Sequence, residues 1–526
     1  MRDFDASACC VDSDCSADDG IVLVPAPPRD IPENCPINGQ MTEWETKLIV
    51  PREWMEIDFN GRIALSELLS WESLSKWDFD VFEFNKLLCQ SATNRPVKPA
   101  EHFESSVHDF PKILPDKIKY GSSRCSPLLI LGWAVLASPH SQIAMQQSFL
   151  LNQTFKDEAF TTQQLNPPSI YNSTNFPGYD FSGKLNIALP KIIQTLRCIE
   201  FHYNDVPYHN NIHVTDVLQT LHSILVHLPM QTEQSTNKQS MNTQQMGENT
   251  NQGSSKNLDT NMCPTSPFLS NVTSLDLYSI LLSAIIHDIS HEGLNNFYYA
   301  NQPSSFDSLI ANKQREITAN YEFDKDPNLE QFHDSFGRQL LQQHGALEGL
   351  TAEEKTLANE VISMAVIETD ISKHFHILNK LQENIVVFEE RDKITTNDAP
   401  HECASTNYNI TSFFSFLLHA ADISSPAKPY ALSSQWIPRV FSEFFFQGDL
   451  EEKQGLPISP LCNRADMTTP TNFNLAQSQV QFIKIFIDPT FRLLGRVVPW
   501  IVGEVIPFVE NNLNVMQRWG SNEEVR

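Results

Sequence analysis

The stretch LPKIIQTLRCIEFHYNDVPYHNNIHVTDVLQTLHSILVHL, residues 189–228, decides the fold class. Leu189, Ile192, Ile193, Leu196 and Ile199 recur at helical spacing, and so do Leu218, Leu221, Ile224, Leu225 and Leu228. A period of 3.6 residues gathers each set on one face, which predicts two amphipathic helices. Downstream, Leu275 to Ile286 is apolar on nearly all sides and reads as a central buried helix. Phe441, Phe444, Phe445, Phe482, Phe486 and Phe491 supply bulk to later helices. Alternating strand patterns are scarce and no solenoid repeat is evident, so the predicted class is all-α.

Two stretches lack this periodicity. Residues 1–60 are acidic and rich in Pro, Cys and Asp, which predicts a flexible lead-in. Residues 230–267 are mostly Gln, Asn, Ser and Thr, with almost nothing to bury, and read as a polar insertion in a helical body spanning 61–526. The chain has 526 residues, 41% of them apolar and 33 of them Phe, enough for a sizeable core.

A formal charge of -27 repels polyphosphate backbones, so nucleic acid is not expected as a partner. A small anionic substrate then has to be attracted locally, and divalent cations in a cleft reverse the field there. The ten cysteines show no disulfide framework, which suits a reducing, cytoplasmic setting. Cys9, Cys10 and Cys15 read as inert thiols of a tail, with reversible lipidation and peripheral membrane association as the alternative. The amino terminus has no secretion-signal layout, and Pro127–Ala137 and Val497–Val509 are too short to span a bilayer.

Four separated places hold ligands for divalent metals: Tyr208-His209-Asn210-Asn211-Ile212-His213, His287-Asp288, Glu330, and His419-Ala420-Ala421-Asp422. Imidazole mixed with carboxylate suits zinc, manganese or magnesium. His209 and His213 are four apart, which on a helix places both imidazoles on one face. Each piece alone is commonplace, but the order H-x-x-x-H, H-D, D across helices is the ligand pattern of the HD class of metal-dependent phosphohydrolases.

PYHNNIHVTDVLQT (Pro207 to Thr220), AIIHDISHEG (Ala284 to Gly293), ETDISKHF (Glu368 to Phe375), LLHAADISSPAKP (Leu417 to Pro429), FFFQGDLEEKQGLPISPLC (Phe444 to Cys462) and AQSQVQFIKIFIDPTF (Ala476 to Phe491) resemble, in order, the motifs of class I 3′,5′-cyclic nucleotide phosphodiesterases. WDFDVFEFN (Trp77 to Asn85) and GLPISPLC resemble the calmodulin-stimulated branch. That branch's basic amphipathic segments ahead of the catalytic domain have no counterpart here, so its mode of control is not supported.

The resemblance implies a compact multi-helix HD-type catalytic domain with a binuclear metal site. It would hydrolyse cyclic AMP, cyclic GMP or both to the 5′-monophosphate, by a hydroxide shared between the metals. By the same resemblance His213, His287, Asp288 and Asp422 hold Zn2+, and Asp288 also reaches a second ion, Mg2+ or Mn2+. His209 protonates the departing 3′ oxygen. Glu330, in NLEQFH, orients His209 or a metal-bound water, with His291 in a similar supporting place. Tyr208 contacts substrate, Phe482 and Val440 enclose the purine, and Gln479 reads its edge, with Ser425 and Trp436 biasing the choice of base.

Ser290, Glu292, Phe332 and Gln481 depart from the family pattern, though none is a metal ligand. Two rival readings are another HD-type nucleotide phosphohydrolase, against which the purine-clamp motif argues, and an inactive cyclic nucleotide-binding scaffold, which the complete ligand set argues against.

Overall fold

The computed structural model describes residues 50–91, 125–154, 178–228, 272–314, 328–395, 410–467 and 473–520. Every extended element among them is a helix, so the domain is all-α as the periodicity predicts. The 230–267 insertion and Cys9, Cys10 and Cys15 lie outside the described residues.

The helical body starts ahead of residue 60. Val50, Trp54 and Ile57 are buried, the Trp54 indole donates to Ser148 Oγ at 3.1 Å, and Glu53 pairs with Arg197 at 2.7 Å. The four-residue helix Arg52–Met55 is too short to show a 3.6-residue period, which is why the sequence reads as unstructured there.

The helix Ser274–Ile286 runs through the centre. A capping box between Thr273 and Asp276 starts it, and every side chain from Tyr278 to Ile286 is buried. Its neighbours are Asn211–Val226, Ala352–Ile367 and Ile410–Asp422. Each fully buried Leu or Ile here contributes about 1.5–3 kcal/mol, so the end of this helix is firmly fixed. Gly337 of Leu329–Gln343 packs so closely that a Cβ would sit 2.7 Å from Ile286 Cβ.

The longest helix among the described residues, Tyr430–Gln454, follows the short turn Ser425–Ala427 and stops at Gly455, whose φ of 71° is left-handed. Gly448 lets the following loop approach: a Cβ there would lie 2.1 Å from the Cys462 carbonyl oxygen. Phe473–Phe482 passes through a π-helical turn, Ile483–Ile487, into Asp488–Val497. No single helix among the described residues is long and apolar enough to cross a membrane.

Candidate active site

Three helix ends meet at one point. His213 sits in the first turn of Asn211–Val226, whose cap Asn210 accepts from the backbone N–H groups of Ile212 and His213. His287 closes the central helix, with Asp288 next to it, and Asp422 is the last residue of Ile410–Asp422. Apolar residues bury each helix, and the polar ligand projects from the end where the packing stops.

His213 Nε2 lies 3.1 Å from Asp422 Oδ1 and 3.4 Å from Asp288 Oδ2. His287 Nε2 lies 3.2 Å from Asp288 Oδ2 and 3.3 Å from Asp422 Oδ1. One ligand atom from each of the four residues falls within 4.8 Å of the others. The His287 Nδ1–H donates to the Ala284 carbonyl at 2.9 Å, so the neutral ring presents a lone pair on Nε2. That nitrogen is buried without a hydrogen-bond partner.

Nitrogen and carboxylate lone pairs facing one another repel unless a cation lies between them. A proton on Nε2 is the other way to relieve that repulsion: burial works against a charged His287, but Asp288 and Asp422 outweigh it and hold its pKa well above the usual value. Burial likewise opposes an ionised Asp422, and the His287 charge overrides it, leaving the carboxyl well below the usual range. Two imidazoles and two carboxylates in this arrangement fit a divalent metal ion.

His209 precedes the cap Asn210 and so lies outside the helix, off the face expected to carry it with His213; it stands beside this cluster, its ring 5.8 Å from that of His213. Its Nδ1 is 2.5 Å from Glu443 Oε2, and Glu443 Oε1 accepts from the N–H groups of Tyr208 and His209 at 2.7 and 2.9 Å. Burial lowers the His209 pKa, but Glu443, with Asp288 and Asp422 behind it, raises it to about 9. Glu443 is 3% exposed. Sequence reading passed over it, although a lone acid among Phe441, Phe444 and Phe445 on a buried helix stands out as needing a partner.

His291 stacks on His209 with ring centroids 3.9 Å apart and accepts the Gly293 N–H on Nδ1 at 2.9 Å. Burial, and then the charge on His209, hold it well below the ordinary histidine value. His333 stacks behind it at 5.7 Å. Ser290, one of the departures, adopts a left-handed φ of 64°, and its hydroxyl donates to the His202 carbonyl at 3.0 Å. Phe332, another departure, is fully buried and stacks on Phe336.

Glu330 lies against Asn296, whose Nδ2 donates to its two oxygens at 3.3 and 3.0 Å. It is not a solvated carboxylate: burial pushes its pKa up to about 7, opposed by the Asn296 hydrogen bond. The carboxylate that holds His209 is Glu443.

Tyr208 packs its ring 4.6 Å from His213 and 5.3 Å from Trp436. Val440 lies one turn beyond Trp436 on the same helix, and Val440, Gln479 and Phe482 are all half-buried. Phe482 contacts Phe486 at 5.2 Å, and Phe486 contacts His374 at 4.8 Å. His374 Nδ1 in turn shares a hydrogen bond with His419 Nε2 at 2.9 Å. These contacts tie the Phe482 segment to the helix ending in Asp422. Ser425 occupies the turn just after that helix.

Residues 208–503 match the family model described as 3′5′-cyclic nucleotide phosphodiesterase. A probable 3′,5′-cyclic phosphodiesterase, pde-1, of Caenorhabditis elegans is 28% identical over 359 residues, 66% of this chain and 43% of the relative. A probable 3′,5′-cyclic-AMP phosphodiesterase of the same organism, pde-4, is 26% identical over 325 residues, 61% of this chain and 39% of the relative. The chain thus spans less than half the length of these two relatives.

Among solved structures, LmjPDEB1 in complex with IBMX superposes with a TM-score of 0.47 at 22% identity, covering 64% of this chain and 82% of that one. The phosphodiesterase domain of the RhoPDE fusion protein from the choanoflagellate Salpingoeca rosetta gives 0.46 at 21%, covering 64% and 86%. None of these matches singles out the calmodulin-stimulated branch. The family model runs from Tyr208 through all four candidate metal-binding residues to Gly503, more than half of the sequence, and the chain belongs to the 3′,5′-cyclic nucleotide phosphodiesterases.

Proposed function

We propose that this chain hydrolyses the 3′,5′-cyclic phosphate of cyclic AMP and cyclic GMP to the 5′-monophosphate, terminating a second-messenger signal. The observation that carries the proposal is the convergence of His213, His287, Asp288 and Asp422 beside a separate His209–Glu443 pair. A ligand cluster next to a charged histidine provides both an electrophilic site and a proton donor, the two requirements of ring opening.

His213, His287, Asp288 and Asp422 would hold Zn2+, and Asp288 would extend to a second ion, Mg2+ or Mn2+. When bound, the two cations supply Lewis-acid polarisation of the phosphoryl group and activation of water. Glu443 fixes the His209 ring through Nδ1 and stabilises its charged form, so that the other nitrogen can deliver a proton to the 3′ oxygen. His291, neutral and stacked on His209, limits that ring's rotation. Glu330, held by Asn296, serves the second cation from one layer out.

Tyr208 lines the phosphate end, while Val440 and Phe482 enclose the purine and Gln479 bonds its edge. The body from about residue 50 onward would be the catalytic domain, with 230–267 an insertion that carries no catalytic group. Hydrolysis of both nucleotides by purified protein, with and without chelator, tests reaction and metal together. A folded protein that turns over neither nucleotide at saturating zinc and magnesium would leave the inactive scaffold as the reading.

A further inference from the structure

The face of Tyr430–Gln454 that carries Glu443 continues as Gln447 and Glu451, at intervals of four, and these three side chains are 3%, 1% and 0% exposed. Residues four apart stand above one another on a helix, so the three form one polar row. Burying such groups is costly unless each is paired. Each is paired, and to a different part of the site.

Glu443 holds Tyr208 and His209. Gln447 makes a two-way amide pair with Asn295: the Asn295 N–H donates to Oε1, and Nε2 donates to Asn295 Oδ1, both at 2.9 Å. Its Nε2 also donates to Glu451 at 2.8 Å. Glu451 accepts from the N–H and the hydroxyl of Ser459, both at 2.6 Å, and so ties down the loop after Gly455.

Asn295 caps the helix Asn296–Asn301 by accepting from the Tyr298 N–H. The adjacent Asn296 then bridges to Leu329–Gln343. Its Oδ1 accepts from the Leu329 N–H at 2.9 Å while its Nδ2 holds Glu330. Gln447 therefore reaches Glu330 through two consecutive asparagines.

We propose that Gln447 is a positioning residue that fixes Glu330 through Asn295 and Asn296. One face of one helix would then set both His209, by way of Glu443, and the carboxylate serving the second cation. The inference rests on the reading of Glu330 given above. The rival is a purely structural Gln447 that satisfies Asn295 and Glu451 and stabilises the fold.

The test uses the full chain with zinc bound, and compares Gln447→Met, Glu330→Gln and the double variant. One readout is Mn2+ affinity at the second site, from the resonance of free Mn2+; the other is hydrogen exchange of the Leu329 amide. Outer-layer partners of a metal ligand typically change affinity by about 10–100-fold, and a loss of that size is expected in each single variant. The double variant should be no weaker than Glu330→Gln alone, because both changes act on one chain. Leu329 should exchange faster in Gln447→Met.

Fully multiplicative losses, or wild-type Mn2+ affinity in a folded Gln447→Met protein, would overturn the proposal. Wild-type affinity in Glu330→Gln would instead refute the role given to Glu330. Leu329 exchange then decides the geometric half: faster exchange in Gln447→Met supports the asparagine chain, and unchanged exchange rejects it. Should Gln447→Met fail to fold, Asn296→Ser cuts the same chain at a half-buried position. Weaker Mn2+ binding there supports the proposal, and unchanged binding overturns it.

Discussion

The candidate metal cluster and the proposed base pocket rest on different supports. His287 and Asp288 end the central Ser274–Ile286 helix, His213 and Asp422 project from ends of two helices packed on it, and the two histidines are buried. Val440, Gln479 and Phe482 are half-buried, and Phe482 leads into the π-helical turn Ile483–Ile487, where Ile485 is exposed. The first region is held by the core and cannot shift without disturbing it. In the second, Val440 and Gln479 lie within helices but Phe482 borders an irregular turn, of a kind frequent at functional sites, and can shift while the cluster stays in place. Substitutions at the cluster should therefore remove chemistry, and substitutions at the pocket should retune binding.

The largest effect is expected at the cluster. Asp422→Ala or His213→Ala should abolish hydrolysis and bound zinc together, measured by turnover and elemental analysis at matched circular dichroism. Near-normal turnover in either variant would remove the distinction between the two regions, because the best-supported residues would then be dispensable.

His209 lies between the extremes. His209→Gln should keep its metal and lose on the order of 10² to 10⁴ in kcat, the usual contribution of a general acid. Loss of metal as well would make His209 a ligand and merge it with the cluster. Glu443→Gln gives a finer test. An acid must be protonated to act, so activity falls as pH rises through the His209 pKa, which the Glu443 charge helps raise to about 9. Removing that charge should lower the pKa and move the alkaline limb of the kcat profile to lower pH, while the zinc content stays unchanged.

Sequence made the cluster legible because metal binding demands particular residue types at nearly fixed spacing. The His287-Asp288 pair after an apolar run is such a local pattern, and the structure brings His213, His287, Asp288 and Asp422 together, whereas the i,i+4 spacing of His209 and His213 misleads, because the helix begins only after His209. The all-α class was legible for a related reason, since long buried helices repeat the same period many times. Glu443, Gln447 and Asn296 were missed because their roles depend on partners far away in sequence: Glu443 is 234 residues from His209, and Gln447 is 152 from Asn295. The packed segment around Trp54 was missed because one short turn carries no period.

At the pocket, Phe482→Ala should raise KM for both nucleotides with little change in kcat. Stacking of a base on an aromatic ring is worth about 1–3 kcal/mol by alanine substitution, or roughly 5- to 150-fold in affinity. A drop in kcat with unchanged KM would mean that Phe482 supports the helix ending in Asp422, through Phe486, His374 and His419, rather than the base.

The smallest effect concerns the choice between adenine and guanine. Gln479 presents either its carbonyl to the 6-amino group of adenine or its amide to the 6-oxo group of guanine. Its side chain has no hydrogen-bond partner among the described residues, so nothing there fixes one orientation. Ser425, in the turn following Asp422, is short and can both donate and accept, which gives it no means of rejecting either base strongly. Both nucleotides should therefore be hydrolysed, with kcat/KM values within about 1–3 kcal/mol of each other, the scale of one hydrogen bond. Steady-state kinetics on the two substrates decides this. Discrimination beyond about a thousandfold, near 4 kcal/mol, would mean that a neighbour locks Gln479, and the pocket would then be as tightly specified as the cluster.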